Sequence, residues 1–229
     1  MSVAGLRASL EQLGQIQAHP SVGVAVLMAI VGFGAALVPG IWHVMRPLNT
    51  MAHEGAHATI GSAVGRTITK IDIKFNGNGA TSHTGSDDST VILFPAAFIG
   101  YLGPSAFGVG AAALIRAGHI VAVLWIAVLG LVVILFLAYK SVGVVLVLAA
   151  LALLVWLLDS ASVRAQVLTT YGITWFLLVS GVRIIAEHGK DAADAGILHT
   201  LTGIARSFWP IPWLLGALAA LVFGATLLL

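Results

Sequence analysis

The sequence predicts an all-α polytopic membrane protein of about seven transmembrane helices with a small membrane-associated β-hairpin. Three observations predict it. Of 229 residues, 59% are hydrophobic and only 9% are charged, and the mean hydropathy is +1.02. A soluble domain carries about 25% charged residues, so this chain cannot cover a water-facing surface with them. Apolar runs long enough to span a bilayer, roughly 20 residues each, recur along it. Two long polar stretches, 66–90 and 187–207, interrupt them, and the first alternates in the manner of a strand pair. The same composition excludes disorder, coiled coil and collagen. A net charge of +2 gives no ground for a nucleic-acid partner. With no cysteine, disulfides, thiolate metal sites and a Cys nucleophile are excluded. Any metal must be held by His, Asp or Glu.

The elements follow in order. Residues 1–20 are too polar for a signal-peptide core. Val3, Leu6, Leu10, Leu13 and Ile16 recur near helical spacing, as in an interfacial helix, although a flexible tail fits equally. Ser21–Val38 is the first apolar span, and Pro39-Gly40 breaks it. Pro47 suits the first turn of a second helix, running to about Gly65. That helix holds Asn49, Thr50, His53, Glu54, His57 and Thr59 among Ala and Gly. It cannot face lipid all round, and its small residues allow other helices to wrap it. Thr67–Phe75 alternates Ile with Thr, Lys and Asp. Asn76-Gly77-Asn78-Gly79 is a strong turn signal, and Ala80–Thr84 returns as a second strand. Apolar runs follow at Val91–Ile115, His119–Ala138, Ser141–Leu158, Val167–Ala186 and Pro210–Leu229. Gly100-Tyr-Leu-Gly-Pro104 interrupts the first of these, either as a kink beside a site or as a packing notch. Trp209 and Trp213 fit interface anchors.

Loop charges orient the chain. With the N-terminus inside, Arg7, Arg66, Lys70, Lys74, Lys140, Arg183, Lys190 and Arg206 lie inside, against Arg46, Arg116 and Arg164 outside. Both long polar loops are then cytoplasmic.

His53-Glu54-Gly55-Ala56-His57 matches H-E-x-x-H. On a helix the two imidazoles lie one turn apart on one face and can reach one tetrahedral Zn²⁺. Glu54 beside them can accept a proton from metal-activated water. Ionisable residues inside a membrane helix are costly and are functional candidates by default; the plain alternative is a buried polar cluster that bridges helices. From His57 to Gly65 is about 12 Å at helical rise, which puts the site inside the bilayer, nearer the cytoplasmic face. A catalytic zinc usually takes three protein ligands. The third must come from the other polar region, where Asp194 is the first candidate and Asp191 the second. Glu187, His188 and His199 remain open. Asn49, one turn before His53, suits either ligand orientation or helix packing. His43 and His119 read as interfacial, and Asp72, Lys70 and Lys74 as a solvated strand face. His83 reads as a surface histidine within reach of the site. The same ligands would also suit a metal ion transporter or channel, or a non-catalytic membrane scaffold. The apolar outer halves of the spans argue against the first, and Glu54 against the second.

Asn49-Thr-Met-Ala-His53-Glu54-Gly-Ala-His57-Ala resembles the zinc-binding helix of the site-2 protease family of intramembrane metalloproteases. Gly65-Arg66, Ile71–Phe75 and Asn76–Gly79 resemble its hairpin. Gly100–Pro104 and Asp194–Gly203 resemble the small bacterial branch without a PDZ domain. Larger members carry Asn-Pro-Asp-Gly where this chain reads Ala193-Asp194-Ala195-Gly196, so Asp191 stays an alternative. The resemblance implies zinc held by His53, His57 and Asp194, with Glu54 as general base. It implies membrane-spanning protein substrates, cleaved in regulated intramembrane proteolysis, with the hairpin offering an edge strand. It also implies a bacterial plasma membrane. The chain then reads as one transmembrane peptidase domain over 1–229, with the third ligand in the 187–207 loop.

Overall fold

The computed structural model describes residues 3–138 and 141–229. The short connection at Tyr139-Lys140 lies outside the described residues, as do the side chains of Val3, Ala4, Leu6 and Lys190, so the apolar spacing read through Val3 and Leu6 is outside them too. The order is α1 (Val3–Leu13), α2 (Val22–Leu37), α3 (Pro39–Ala63), β1 (Thr67–Ile73), β2 (Gly79–Thr84), α4 (Thr90–Ile99), a 3₁₀ turn (Gly100–Leu102) and α5 (Gly103–Arg116). There follow α6 (Ile120–Leu137), α7 (Val144–Ser160), α8 (Val163–His188), a 3₁₀ turn (Gly189–Asp191), α9 (Ala193–Thr202) and α10 (Pro210–Leu228).

The chain is an integral membrane protein. Among the described residues, four helical stretches are long and apolar enough to cross a bilayer: Thr90–Arg116, Ile120–Leu137, Val163–His188 and Arg206–Leu228. A fifth body is the pair α2 and α3, bent by 92° where they meet. Helix α7 is apolar but has only 17 residues. The expectation of seven is therefore approximate. Two of the seven runs form one bent pair, and another is short for a span.

The bend falls at Pro39, where the sequence reading breaks the first span, but the second helix starts there and not at Pro47. Pro39 occupies the first turn of α3, where its missing N–H costs nothing. Pro47 lies inside the helix, where it removes the bond to the carbonyl four residues back. Tertiary contacts on the turn around it override that cost. Trp42 is buried against Phe176 and donates from Nε1 to Glu187 at 3.1 Å, while Arg46 reaches Glu187 at 3.7 Å and Asn78 at 3.2 Å.

Helix α8 runs through the body with Thr170, Thr174 and Ser180 buried. Both Thr hydroxyls donate to carbonyls four residues back, and Ser180 Oγ donates to the Leu177 carbonyl at 3.3 Å, so these three hydroxyls are met within the helix itself. Helices α2, α5 and α10 pack against it. Trp209 and Trp213 are buried in this body, not at a lipid interface. Phe94, Phe98 and Tyr101 surround them, and Trp213 Nε1 donates to the Phe98 carbonyl at 2.9 Å.

The hairpin is antiparallel, pairing Ile73 with Gly79, Ile71 with Thr81 and Ile68 with His83. An irregularity between Ile68 and Lys70 changes the strict alternation. Ile71 and Ile73 are both fully buried, while Phe75 is exposed beyond the strand. The Lys70–Asp72 ion pair, at 3.1 Å, holds the Asp72 carboxyl below its usual range. The outer edge of β1 is closed at Ile73. Ser141 Oγ accepts from its N–H at 2.9 Å and donates to its carbonyl at 2.7 Å.

Candidate active site

Helix α3 carries His53 and His57 one turn apart, with Ala52, Ala56 and Gly61 between larger residues. The small residues let the broken α4–α5 segment press against it. At Gly103 an added Cβ would lie 2.5 Å from Ala56 Cβ and 2.9 Å from the Ala52 carbonyl. At Gly100 it would collide with His57 Nε2 and lie 2.7 Å from His53 Nε2. The 3₁₀ turn is thus a cradle whose empty side chain position is filled by the two imidazoles. Next to it, the Tyr101 ring stands edge-on to His53 with centroids 4.8 Å apart.

The chain returns to this point from α8. The 3₁₀ turn at Gly189–Asp191 and the extended Ala192 start α9, with Asp194 in its first turn. A helix N-terminus favours a carboxylate there. Asp194 is buried, and its Oδ2 lies 3.2 Å from His53 Nε2 and 3.2 Å from His57 Nε2. The two Nε2 atoms are 3.1 Å apart. His57 Nδ1 meets the Ala96 carbonyl at 2.6 Å. That carbonyl only accepts, so Nδ1 carries a proton, and in the neutral ring the lone pair is on Nε2.

His53 Nε2, His57 Nε2 and Asp194 Oδ2 thus form a nearly equilateral triangle. Asp194 Oδ2 is close to both rings and yet has no hydrogen bond of good geometry. A buried oxygen without a donor is costly, unless a cation is shared among the three. The dimensions fit one: a tetrahedral ion with bonds of about 2.0–2.1 Å spaces its ligand atoms about 3.3 Å apart. The donor set of two imidazoles and one carboxylate suits zinc.

Glu54 is buried one position away on α3. Its Oε2 accepts from Thr81 Oγ1 on β2 at 2.7 Å. At Gly79, on the same face of β2, an added Cβ would strike Glu54 Oε1 and lie 2.7 Å from Thr50 Cγ2. Thr50 Oγ1 donates to the Gly77 carbonyl at 2.6 Å. The hairpin therefore lies directly on the stripe of α3 formed by Thr50 and Glu54. A cavity of about 660 Å³ opens between hairpin, α3 and α9, with Asn49, His53, Glu54, His57, Thr81 and Asp194 in its wall.

A family model described as Peptidase M50B-like matches residues 24–224. The chain belongs to this family. The match takes in the helix with H-E-x-x-H, the hairpin, the Gly100 cradle and Asp194, and it relates the chain to site-2 protease. No curated protein and no solved structure matches it.

In this M50B-like peptidase, the other sequence candidates fall outside the triangle. Asp191 is exposed on the 3₁₀ turn and borders the cavity. His188 faces Arg46 at 3.4 Å. His199 pairs with the Ile204 carbonyl at 2.9 Å. Glu187 instead ties Arg46, Arg183 and Trp42 together. Asn49 is buried with its Oδ1 unpartnered at the cavity wall. Sequence reasoning missed Thr81 and Gly79 as neighbours of Glu54. The only sequence signal for them was the turn, which fixes how far β2 is from α3.

Proposed function

We propose that this peptidase is an intramembrane zinc metalloendopeptidase that hydrolyses peptide bonds of membrane-spanning protein segments. The observation that carries this reading is the triangle of His53, His57 and Asp194 beside the buried Glu54, within a body of apolar helices. His53, His57 and Asp194 would hold the metal, and Glu54 would be the general base. Zinc, when bound, lowers the pKa of a water and polarises the substrate carbonyl. Glu54 takes the proton from the attacking water and delivers it to the departing amine nitrogen. The Ala96 carbonyl keeps the His57 lone pair aimed at the centre.

An extended substrate needs a partner for its backbone, since a helix hides its peptide bonds. The β1 edge is closed at Ile73 by Ser141, whereas Gly79, Ala80, Thr81 and His83 of β2 border the cavity. The free edge of β2 is therefore the one a substrate strand would join. With the charge bias of the loops, the reading places the N-terminus and the site toward the cytoplasm, in a bacterial plasma membrane. It assigns the enzyme to regulated intramembrane proteolysis.

The test is metal content and cleavage measured on the same purified samples. Glu54→Gln keeps stoichiometric zinc and loses cleavage of a co-reconstituted single-span substrate. His53→Ala and His57→Ala lose the zinc. Retained cleavage in Glu54→Gln would sink the mechanism.

A further inference from the structure

We propose that His83, on β2, donates a hydrogen bond from Nε2 to the scissile carbonyl oxygen, and that Arg66 is the positioning residue that orients it. The proposal rests on the hydrolytic reading of the site given above.

Arg66 is a buried cation. Its Nη1 contacts Asp88 at 2.8 Å and donates to the Asp87 carbonyl at 2.7 Å. Its Nε donates to His83 Nδ1 at 3.2 Å. Gly85 leaves the space, since an added Cβ there would lie 2.6 Å from Nη1. A guanidinium can only donate. Nδ1 of His83 therefore holds a lone pair, and the ring proton is on Nε2. Burial foremost, then the Arg66 charge and the nearby His57, hold the His83 pKa below its ordinary value. At neutral pH the ring is a neutral donor with one proton in a fixed place.

That donor borders the reaction space. His83 shares a strand face with Thr81, two residues before it, and lines the cavity that holds His53, Glu54, His57 and Asp194. Among the described residues, nothing is hydrogen-bonded to its Nε2. A buried arginine, a lone-pair acceptor and a free N–H at the cavity wall form a preorganised dipole of the kind that stabilises developing negative charge.

The chemistry balances without a further reagent. Water oxygen bonds to the carbonyl carbon, and Glu54 takes a water proton. The carbonyl π pair moves onto oxygen, where the His83 N–H meets it and keeps its own proton. The pair returns, the C–N bond breaks, and Glu54 passes its proton to the amine nitrogen. The interaction strengthens as charge develops, so it acts on kcat more than on KM.

The experiment uses the full chain in detergent, loaded with zinc, and a single-span peptide substrate. His83→Ala lowers kcat by about 100-fold to 1000-fold, with KM and zinc content unchanged. His83→Gln, which keeps an N–H, recovers part of the loss. Unchanged kcat in His83→Ala overturns the proposal, and so does a parallel loss of zinc. A second readout needs no turnover. Ring ¹⁵N shifts of the zinc-free Glu54→Gln chain show His83 protonated at Nε2, and Arg66→Leu mixes the tautomers. A proton at Nδ1 overturns the proposal whatever the cleavage result. Failure of the parent reading shows separately, as full cleavage by Glu54→Gln or none by zinc-loaded wild type, and it takes this proposal with it.

Discussion

The Thr81 hydroxyl on β2 donates to the Glu54 carboxylate on α3 at 2.7 Å. The same oxygen lies 3.2 Å from the Glu54 carbonyl, but it has one proton, and the nearer, charged acceptor takes it. A surface hairpin thus reaches into the membrane body and holds the proposed base.

Thr81→Val keeps the shape and removes the donor. A hydrogen bond to a charged group is worth about 1.5–3 kcal/mol, so kcat falls roughly tenfold to a hundredfold. Thr81→Ser restores it, and zinc content stays at wild-type level in both. Steady-state cleavage with metal analysis on the same samples checks this; equal kcat in Thr81→Val rules the contact out.

Gly100→Ala places a methyl where the two imidazole nitrogens converge. The variant folds, because Gly100 has ordinary right-handed helical backbone angles, but it loses zinc and cleavage together. Gly110→Ala, whose added Cβ meets nothing, is the matched control. Zinc retained in Gly100→Ala would contradict the cradle.

Removing the carboxylate of Asp194 breaks one side of the ligand triangle. Asp194→Ala therefore loses tight zinc binding, while Asp191→Ala, exposed on the preceding turn, keeps it. Competition with a chromogenic chelator reads the difference; the reverse order would move the third ligand to Asp191.

Ser141 satisfies both polar groups of Ile73 in a buried setting. Ser141→Ala leaves a buried N–H and carbonyl unmet, at about 1–3 kcal/mol. The effect is local. Amide exchange at Ile73 accelerates, while the Glu54 side of the hairpin keeps its protection.

His83 gives a pH dependence. Its folded pKa lies below the unfolded value near 6.5, so the folded state resists the proton that the unfolded state takes up. Anchoring of the hairpin is complete above that value and weakens as pH falls through it. Hairpin proteolysis followed between pH 8 and pH 5 rises at the acid end, and His83→Gln flattens the rise.

Much of this was legible in residue order. H-E-x-x-H placed two imidazoles and a carboxylate on one helix, and Asn76–Gly79 fixed the hairpin. Asp194 stood out among five candidates because it opens an apolar-flanked segment. What was hidden depends on packing. Helix α3 continues through Pro47 because Trp42 and Arg46 are held from outside the helix. The irregularity between Ile68 and Lys70 shifts the face of β1, and no local rule announces it. The contact of Thr81 with Glu54 joins residues 27 apart, and only the assembled hairpin shows it. Trp209 and Trp213 read as interface anchors, but their indoles are covered by α4 and the cradle.

Thr50 and Glu54 meet the hairpin from one stripe of α3, while His53 and His57 face the cradle from the adjacent stripe. One residue inserted into this helix turns everything beyond it by about 100°. Inserted between Thr50 and His53, it would shift Glu54 out of line with Thr50, away from the hairpin, and carry both imidazoles away from Gly100. The segment from Thr50 to His57 is therefore fixed in length as well as in composition. Evolution can exchange its side chains within limits, but it cannot count them differently.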